Sequence, residues 1–281
     1  AVLASRGPRL ARLLVRPAGW LVGLVDLPTP ARRRSAWPAF DDGPRDRVAA
    51  GSDQIDVVIV PDVFTSVIEP RVLDAAIDAI RRAGYTPAVA DLLPSGKYDH
   101  VKGRRARFTR AARAQAALVA RVVANGAKPV VIEPAVSLMY EREYPAALAD
   151  QAGDSSDALE HVIDLSELLA ARPSHPVASP RAVTLLGHCS EQALEPDRRE
   201  RWAKLLVEAG HTVDVVDVGC CGMAGIFGHE RDHRAMSEEV WQYSWAGVVA
   251  AADVVAAPGS SCRAQAQRFA ETTIYHPVEL L

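Results

Sequence analysis

The chain has 281 residues, 49% of them hydrophobic, and a formal net charge of −3 at pH 7. Acidic and basic residues are mixed along most of it, which argues against nucleic acid or another polyanion as partner. The length suits two compact units with real cores; no apolar run approaches the roughly 20 residues needed to cross a bilayer, and no secretory leader pattern opens the chain.

Residues 1–52 read as an N-terminal connector. A basic, apolar stretch, "RLARLLVRPAGWLVGLV", leads into "ARRRSAWPAFDDGPRD", rich in Pro and Arg. Pro17 interrupts the first stretch, so packing against a domain is expected rather than a place on anionic lipid. The chain begins with alanine, which suggests processing or a piece of something longer.

Residues 53–150 read as a first α/β unit and 181–281 as a second. "DVVIVP" at 56–61 and "AVTLL" at 182–186 are short buried-strand patterns, each followed by a polar turn and a helical stretch. Laid over one another they align without a gap: Glu69-Pro70 on Glu195-Pro196, Ala83-Gly84 on Ala209-Gly210, Thr86 on Thr212, Asp91 on Asp217 and Gly96 on Gly222, every pair 126 apart. This is an internal repeat. Each copy reads strand, helix, strand, helix, strand; in the second the helices are expected near 196–209, where Trp202, Leu205 and Leu206 keep helical spacing before Gly210, and near 230–247. Alternating strands and helices predict an α/β fold of two pseudo-repeated units, each a small parallel sheet flanked by helices. Residues 151–180 read as a linker carrying an amphipathic helix near 156–171 and leaving through a Pro/Ser-rich stretch.

The four cysteines all fall in the second copy, each just after a predicted strand: Cys189 after "VTLLGH", Cys220 and Cys221 after "VDVVDVG", Cys262 after "DVVAAPGSS". In a parallel sheet those strand ends share one carboxyl edge, where open α/β folds place their ligands. The turn "GMAGIFG" supplies Gly222, Gly225 and Gly228, which permit positive φ and close backbone approach, and its amides and the following helix start would face thiolates. The expected location is the cytoplasm, where thiols stay reduced, so metal or redox ligation is expected before disulfides. Adjacent cysteines suit a multi-iron cluster better than a lone tetrahedral zinc, whose ligand pairs are usually two to four residues apart; iron–sulfur is preferred and zinc stays open. The matching positions of the first copy, Val63, Pro94, Ser95 and Val136, carry no thiol.

"GHCSEQALEP", "VGCCGMAGIFGHE" and "GSSCRAQ" closely resemble the cysteine-rich CCG domain, a tandem module found in heterodisulfide reductase, in anaerobic glycerol-3-phosphate dehydrogenase and in the iron–sulfur component of glycolate oxidase. It also closes the large bacterial FAD-linked D-2-hydroxy-acid dehydrogenases, such as the D-lactate and D-2-hydroxyglutarate enzymes. This chain is most similar to that last group, through "CCGMAG" at 220–225, "SCRAQ" at 261–265 and "HPVE" at 276–279; "DVFTSVIEP" and "IEPAVSLMYEREYP" of the first copy look like family segments whose cysteines are absent. The resemblance covers about residues 53–281. It implies an iron–sulfur cluster, 4Fe–4S in type, with Cys189, Cys220, Cys221 and Cys262 as metal ligands, since the CxxC of members with a full reductase site is missing where Gly259 precedes Cys262. It implies FAD on an upstream domain outside this chain, and as partners the FAD-binding and ferredoxin-type domains of a parent enzyme or of separate subunits. Any inner-membrane association would then be peripheral, made through those partners.

Gly222 and Gly225 are expected to lend amides to the cofactor, and His188 and Arg263 to tune charge beside it. His188 is more readily a hydrogen-bonding neighbour than a ligand; Arg263 could offset cluster charge, bind a carboxylate or form a salt bridge. His229 is expected to help cap the next helix, Lys97 to face solvent, and Glu69 and Glu195 to serve as acidic helix starts before Pro70 and Pro196. The function expected is electron transfer within an FAD-linked oxidoreductase acting on a D-2-hydroxy acid; the alternative is a structural zinc-binding or metal-free scaffold that docks flavin and ferredoxin domains.

Overall fold

A computed structural model describes residues 19–21, 23–33, 36–41, 54–149, 157–172 and 175–281. Val57–Ile59 (β1), Pro87–Val89 (β2), Lys128–Val131 (β3) and Ile163–Asp164 (β4) form one sheet ordered β2-β1-β3-β4. Ala182–Leu186 (β5), Thr212–Val216 (β6) and Val255–Ala256 (β7) form another, ordered β6-β5-β7. All pairings between named strands are parallel. The helices that matter for the site are Pro70–Arg82 (α1), Arg105–Ala124 (α2), Leu165–Ala170 (α3), Cys189–Leu194 (α4), Asp197–Glu208 (α5), Arg234–Trp241 (α6) and Ser260–Phe269 (α7). The expected α/β architecture of two small parallel sheets flanked by helices is the observed one. Its central strands are covered on both faces, so they read as unbroken apolar runs: Val57, Val58 and Ile59 are all fully buried.

The internal repeat survives in the hydrogen-bond register. Val57 pairs with Pro87 and Val183 with Val213; Val58 pairs with Pro129 and Thr184 with Val255. Every pairing of β1 with β2 recurs between β5 and β6 shifted by 126, and both pairings of β5 with β7 are pairings of β1 with β3 shifted by the same amount. The helix turn that each copy needs is also kept: Gly96 and Gly222 both take positive φ, 75° and 88°.

Beyond the gapless stretch the two copies still correspond, at a different offset. In the first sheet Val130 pairs with Ile163; in the second Ala256 bridges Tyr275 in parallel, as a rudimentary fourth strand. The next residue in each copy caps a helical turn in the same way: Asp164 Oδ1 accepts from Ser166 N at 2.8 Å, and His276 Nδ1 accepts from Val278 N at 3.1 Å. "DLSE" at 164–167 and "HPVE" at 276–279 are thus the same device, a side-chain cap two residues before the amide it satisfies. The helix expected near 156–171 is accordingly shorter than its periodicity suggested. A 3₁₀ turn at Asp157–His161 and strand β4 take its first half, and only α3 is α-helical. The α5 expectation holds within a residue or two, whereas 230–247 is a succession of 3₁₀ turn, α6 and π turn rather than one helix.

Residue contacts divide the chain into two compact units, Ser35–Ser66 with Leu73–Pro173, and Ser174–Leu281 with Val67–Val72 and Ala1–Arg34. Of the N-terminal connector, residues 1–18, 22, 34, 35 and 42–52 lie outside the described residues. Residues 24–26 pack against the second unit: Leu24 bridges Glu230, Val25 N donates to the His229 carbonyl at 2.7 Å, and Asp26 pairs with Arg234 and Arg268; residues 37–40 pack against the first, where Ala39 bridges Val89 and Trp37 Nε1 donates to Asp74 at 2.7 Å. Among the described residues no helix is long and apolar enough to cross a membrane.

Candidate functional site

The order β6-β5-β7 means that the chain leaves β5 on one side, returns, and crosses to the other; the crevice between the carboxyl ends of β5 and β7 is the topological switch point of this sheet. Cys189 opens α4 directly after β5, and Cys262 is the third residue of α7 directly after β7. Both sulfurs thus sit in first helical turns, whose amides and dipole favour a negative group. Cys220 and Cys221 stand in the turn after β6, the third strand end of the same edge.

The four side chains share one neighbourhood. The Cys220 sulfur accepts from the thiols of Cys189 and Cys221 and, at 3.3 Å, from the amide of Gly222; Cys221 in turn is hydrogen-bonded to Cys262. Donation by Cys189 and Cys221 pulls the Cys220 thiol far below the usual thiol range, with Gly222 N–H and the charge of His188 adding to this against the opposing effect of burial. Cys189 and Cys221 shift upward, Cys189 first because its proton is held by Cys220 and then because it is half-buried, Cys221 because it is bonded on both sides and 3% exposed. These hydrogen bonds favour the thiolate at Cys220 over one at Cys189 or Cys221. Cys262 is 1% exposed.

The turn that presents the pair is fixed from behind by buried polar groups. Gln265 Nε2, on α7, donates to the Cys221 carbonyl at 2.8 Å and to Ser237 Oγ at 2.9 Å, and Ser237 Oγ donates to the Gly222 carbonyl at 2.7 Å. Both side chains are fully buried, so each bond is made without competition from water. A Cβ on Gly222 would come within 2.3 Å of the Ser237 carbonyl, which together with φ +88° makes glycine obligatory there. Gly225 also takes positive φ, 70°, but in open space. Trp245 Nε1 donates to the Gly219 carbonyl at 3.0 Å and stacks on Trp241, closing the apolar floor under the turn.

His188 stands at the N-cap position of α4 without a side-chain cap and is buried; its ring lies close to where a Cβ on Gly259 would stand, 2.3 Å away, with Nε2 3.4 Å from Ser261 Oγ. It therefore bridges the β5 and β7 loops beside Cys189 and Cys262. Arg263 does not face solvent or the sulfurs with a spare charge: its guanidinium donates to the Ala257 and Pro258 carbonyls at 2.9 and 2.7 Å and to Glu69 at 2.7 and 3.0 Å. Glu69, expected only as a helix start, is its counterion. His229 caps no α-helix; its Nδ1 lies 3.1 Å from the Val25 carbonyl, tying down the connector. Lys97 pairs with Glu143.

In the other unit the matching rim is filled by polar groups of a different kind. Asp62, the counterpart of His188, accepts from the amides of Phe64 and Thr65 at 2.7 and 3.0 Å. Val63 is exposed and Val136 buried, while the Pro94-Ser95 turn is held by Tyr144 Oη, which donates to the Ser95 carbonyl at 2.7 Å.

Four sulfurs with a histidine near them form a donor set for a soft metal. Among the described residues, however, no group of three or more His, Cys, Asp or Glu side chains is arranged as it stands to hold a metal ion. The residue types nonetheless suit such a metal, which binds cysteine as the thiolate.

Sequence reasoning missed Ser237 and the role of Gln265. Neither carries a motif of its own, although Gln265 ends the "SCRAQ" segment.

No family model matches the chain. It is similar to proteins named D-2-hydroxyglutarate dehydrogenase: that of Pantoea ananatis at 33% identity over 92% of this chain and 26% of the relative, that of Escherichia coli K12 at 32% over 80% and 22%, and that of Haemophilus influenzae at 31% over 79% and 22%. The chain spans about a quarter of the length of the curated relatives it matches.

Proposed function

We propose that this chain is the electron-transfer module of a larger FAD-linked oxidoreductase acting on a D-2-hydroxy acid, with an iron–sulfur cluster of 4Fe–4S type on Cys189, Cys220, Cys221 and Cys262. The observation that carries the reading is the gathering of four sulfurs from three strand ends at one sheet edge, linked to one another by hydrogen bonds. The names of the similar proteins support the substrate class, and their greater length supports flavin and ferredoxin-type domains as partners. A bound cluster would supply one-electron steps between the flavin and an outer acceptor. The chain's own residues hold Cys189 and Cys262 in first helical turns and Cys220 and Cys221 in the turn after β6, donate the Gly222 amide to sulfur, and exclude water through Trp241, Trp245 and the Gln265–Ser237 pair.

A structural zinc site is the second reading, favoured by the donor set itself, since four cysteines are a common ligand set of structural zinc. Anaerobic purification followed by visible absorbance and EPR separates the two. A broad visible band that bleaches with dithionite and yields a paramagnetic signal is expected; a colourless chain with stoichiometric zinc selects the scaffold.

A further inference from the structure

We propose that Glu69 and Arg263 form a positioning pair that sets the first turn of α7, and with it the place of the Cys262 sulfur at the rim. The proposal rests on the reading of Cys262 as a ligand and assigns it a partner from the other copy of the repeat.

The geometry is specific. Arg263 follows Cys262 directly, and its side chain is 1% exposed. Nη1 donates to the carbonyls of Ala257 and Pro258, which ties the start of α7 back to the end of β7 across the loop that carries Cys262. Nε and Nη2 both donate to Glu69 Oε2, at 3.0 and 2.7 Å, and Nε reaches Oε1 at 3.2 Å. A planar guanidinium held on two edges fixes the direction of its own backbone, as an ammonium would not.

Glu69 is itself held. Arg71 Nη2 donates to its Oε1 at 2.9 Å and Nη1 pairs with Glu279, whose Oε2 accepts from the His276 amide at 2.8 Å. The Glu69 carboxylate is therefore steadied by the capping turn at 276–279 on one side and grips Arg263 on the other. Glu69, Arg71 and Arg263 lie in the same compact unit. An acidic start to α1 alone would need none of this: a helix dipole is served by any carboxylate in the first turn, pointing anywhere.

The test is site-resolved alkylation of the metal-free full chain with iodoacetamide, read by mass spectrometry. Glu69→Gln keeps the side-chain size and removes the charge opposite Arg263. The expected result is that Cys262, buried in the native chain, is labelled on the order of tenfold faster while Cys220 keeps its rate, a local opening rather than a general one. Arg71→Gln leaves the Arg263 fork in place and is expected to speed Cys262 labelling less than Glu69→Gln does. Should Glu69→Gln not fold, Arg263→Lys carries the same prediction, since one ammonium cannot replace the two-edged hold. Unchanged Cys262 labelling overturns the proposal, as does equal acceleration of all four cysteines or an equal effect in Arg71→Gln. A native chain that takes up neither iron nor zinc would end the cofactor reading and leave this test intact.

Discussion

The side-chain amide of Gln265 lies 2.8 Å from the backbone carbonyl of Cys221, and both are buried. One turn of α7 thus supplies a sulfur, Cys262, and the group that fixes the backbone of another, Cys221. Gln265→Leu leaves the Cys221 carbonyl and the Ser237 hydroxyl short of a partner, at a cost of about 1–3 kcal/mol. Urea unfolding should show that loss, and a loss within a few tenths would mean the turn is held by something else.

Gly222 and Gly225 separate strain from crowding. Both take positive φ, but only Gly222 faces the Ser237 carbonyl. Gly225→Ala should cost about 1–2 kcal/mol, the strain of a left-handed backbone alone. Gly222→Ala should cost about 2–5 kcal/mol, because overpacking is added. Equal losses in thermal or urea unfolding would contradict the clash that the turn imposes.

In the metal-free chain Cys220 should be the first cysteine to react with iodoacetamide, and should keep reacting at mildly acidic pH, where an ordinary thiol is silent. Its acidity comes from the thiols of Cys189 and Cys221 and from the Gly222 amide. Rates following an ordinary thiol titration would contradict that effect of its neighbours.

Stability should fall as pH is lowered from about 7.5 to about 5.5, through the ordinary histidine range. Burial, then the charges of Arg263 and Arg71, hold His276 well below that range, so within it the unfolded chain takes up a proton that the folded chain refuses. The loss is at most about 1.4 kcal/mol per pH unit for this group. Glu69, pushed up by burial but lowered overall by Arg263 and Arg71, contributes stability that is lost as pH falls through the ordinary carboxylate range and below it, outside this window. His276→Asn can still accept from the Val278 amide, and its melting temperature should vary less with pH than that of the native chain.

The repeat was legible in the sequence because Pro, Gly and buried strand residues recur at one spacing, and the sheets repeat it pairing by pairing. Its fourth strand was not, since Ile163 and Tyr275 follow at a different offset and the caps after them, Asp164 and His276, are different residue types doing the same task. The cysteines were legible as strand-end groups. Apolar spacing near 156–171 does not see β4, whose residues are recruited by pairing with β3, and so overstates the helix there. Glu69 and Ser237 were invisible for a related reason: their meaning lies in partners 194 and 15 residues away, and local pattern carries no trace of either.

Everything proposed for the rim requires that Cys189, Cys220, Cys221 and Cys262 hold one cofactor together. The decisive measurement is elemental analysis of iron and zinc in the anaerobically prepared chain and in its four single Cys→Ser variants. Stoichiometric metal is expected in the native chain, iron with acid-labile sulfide on the leading reading, with a large fall in every variant. A native chain that binds neither metal, or variants that all retain the native content, would be incompatible with a shared site.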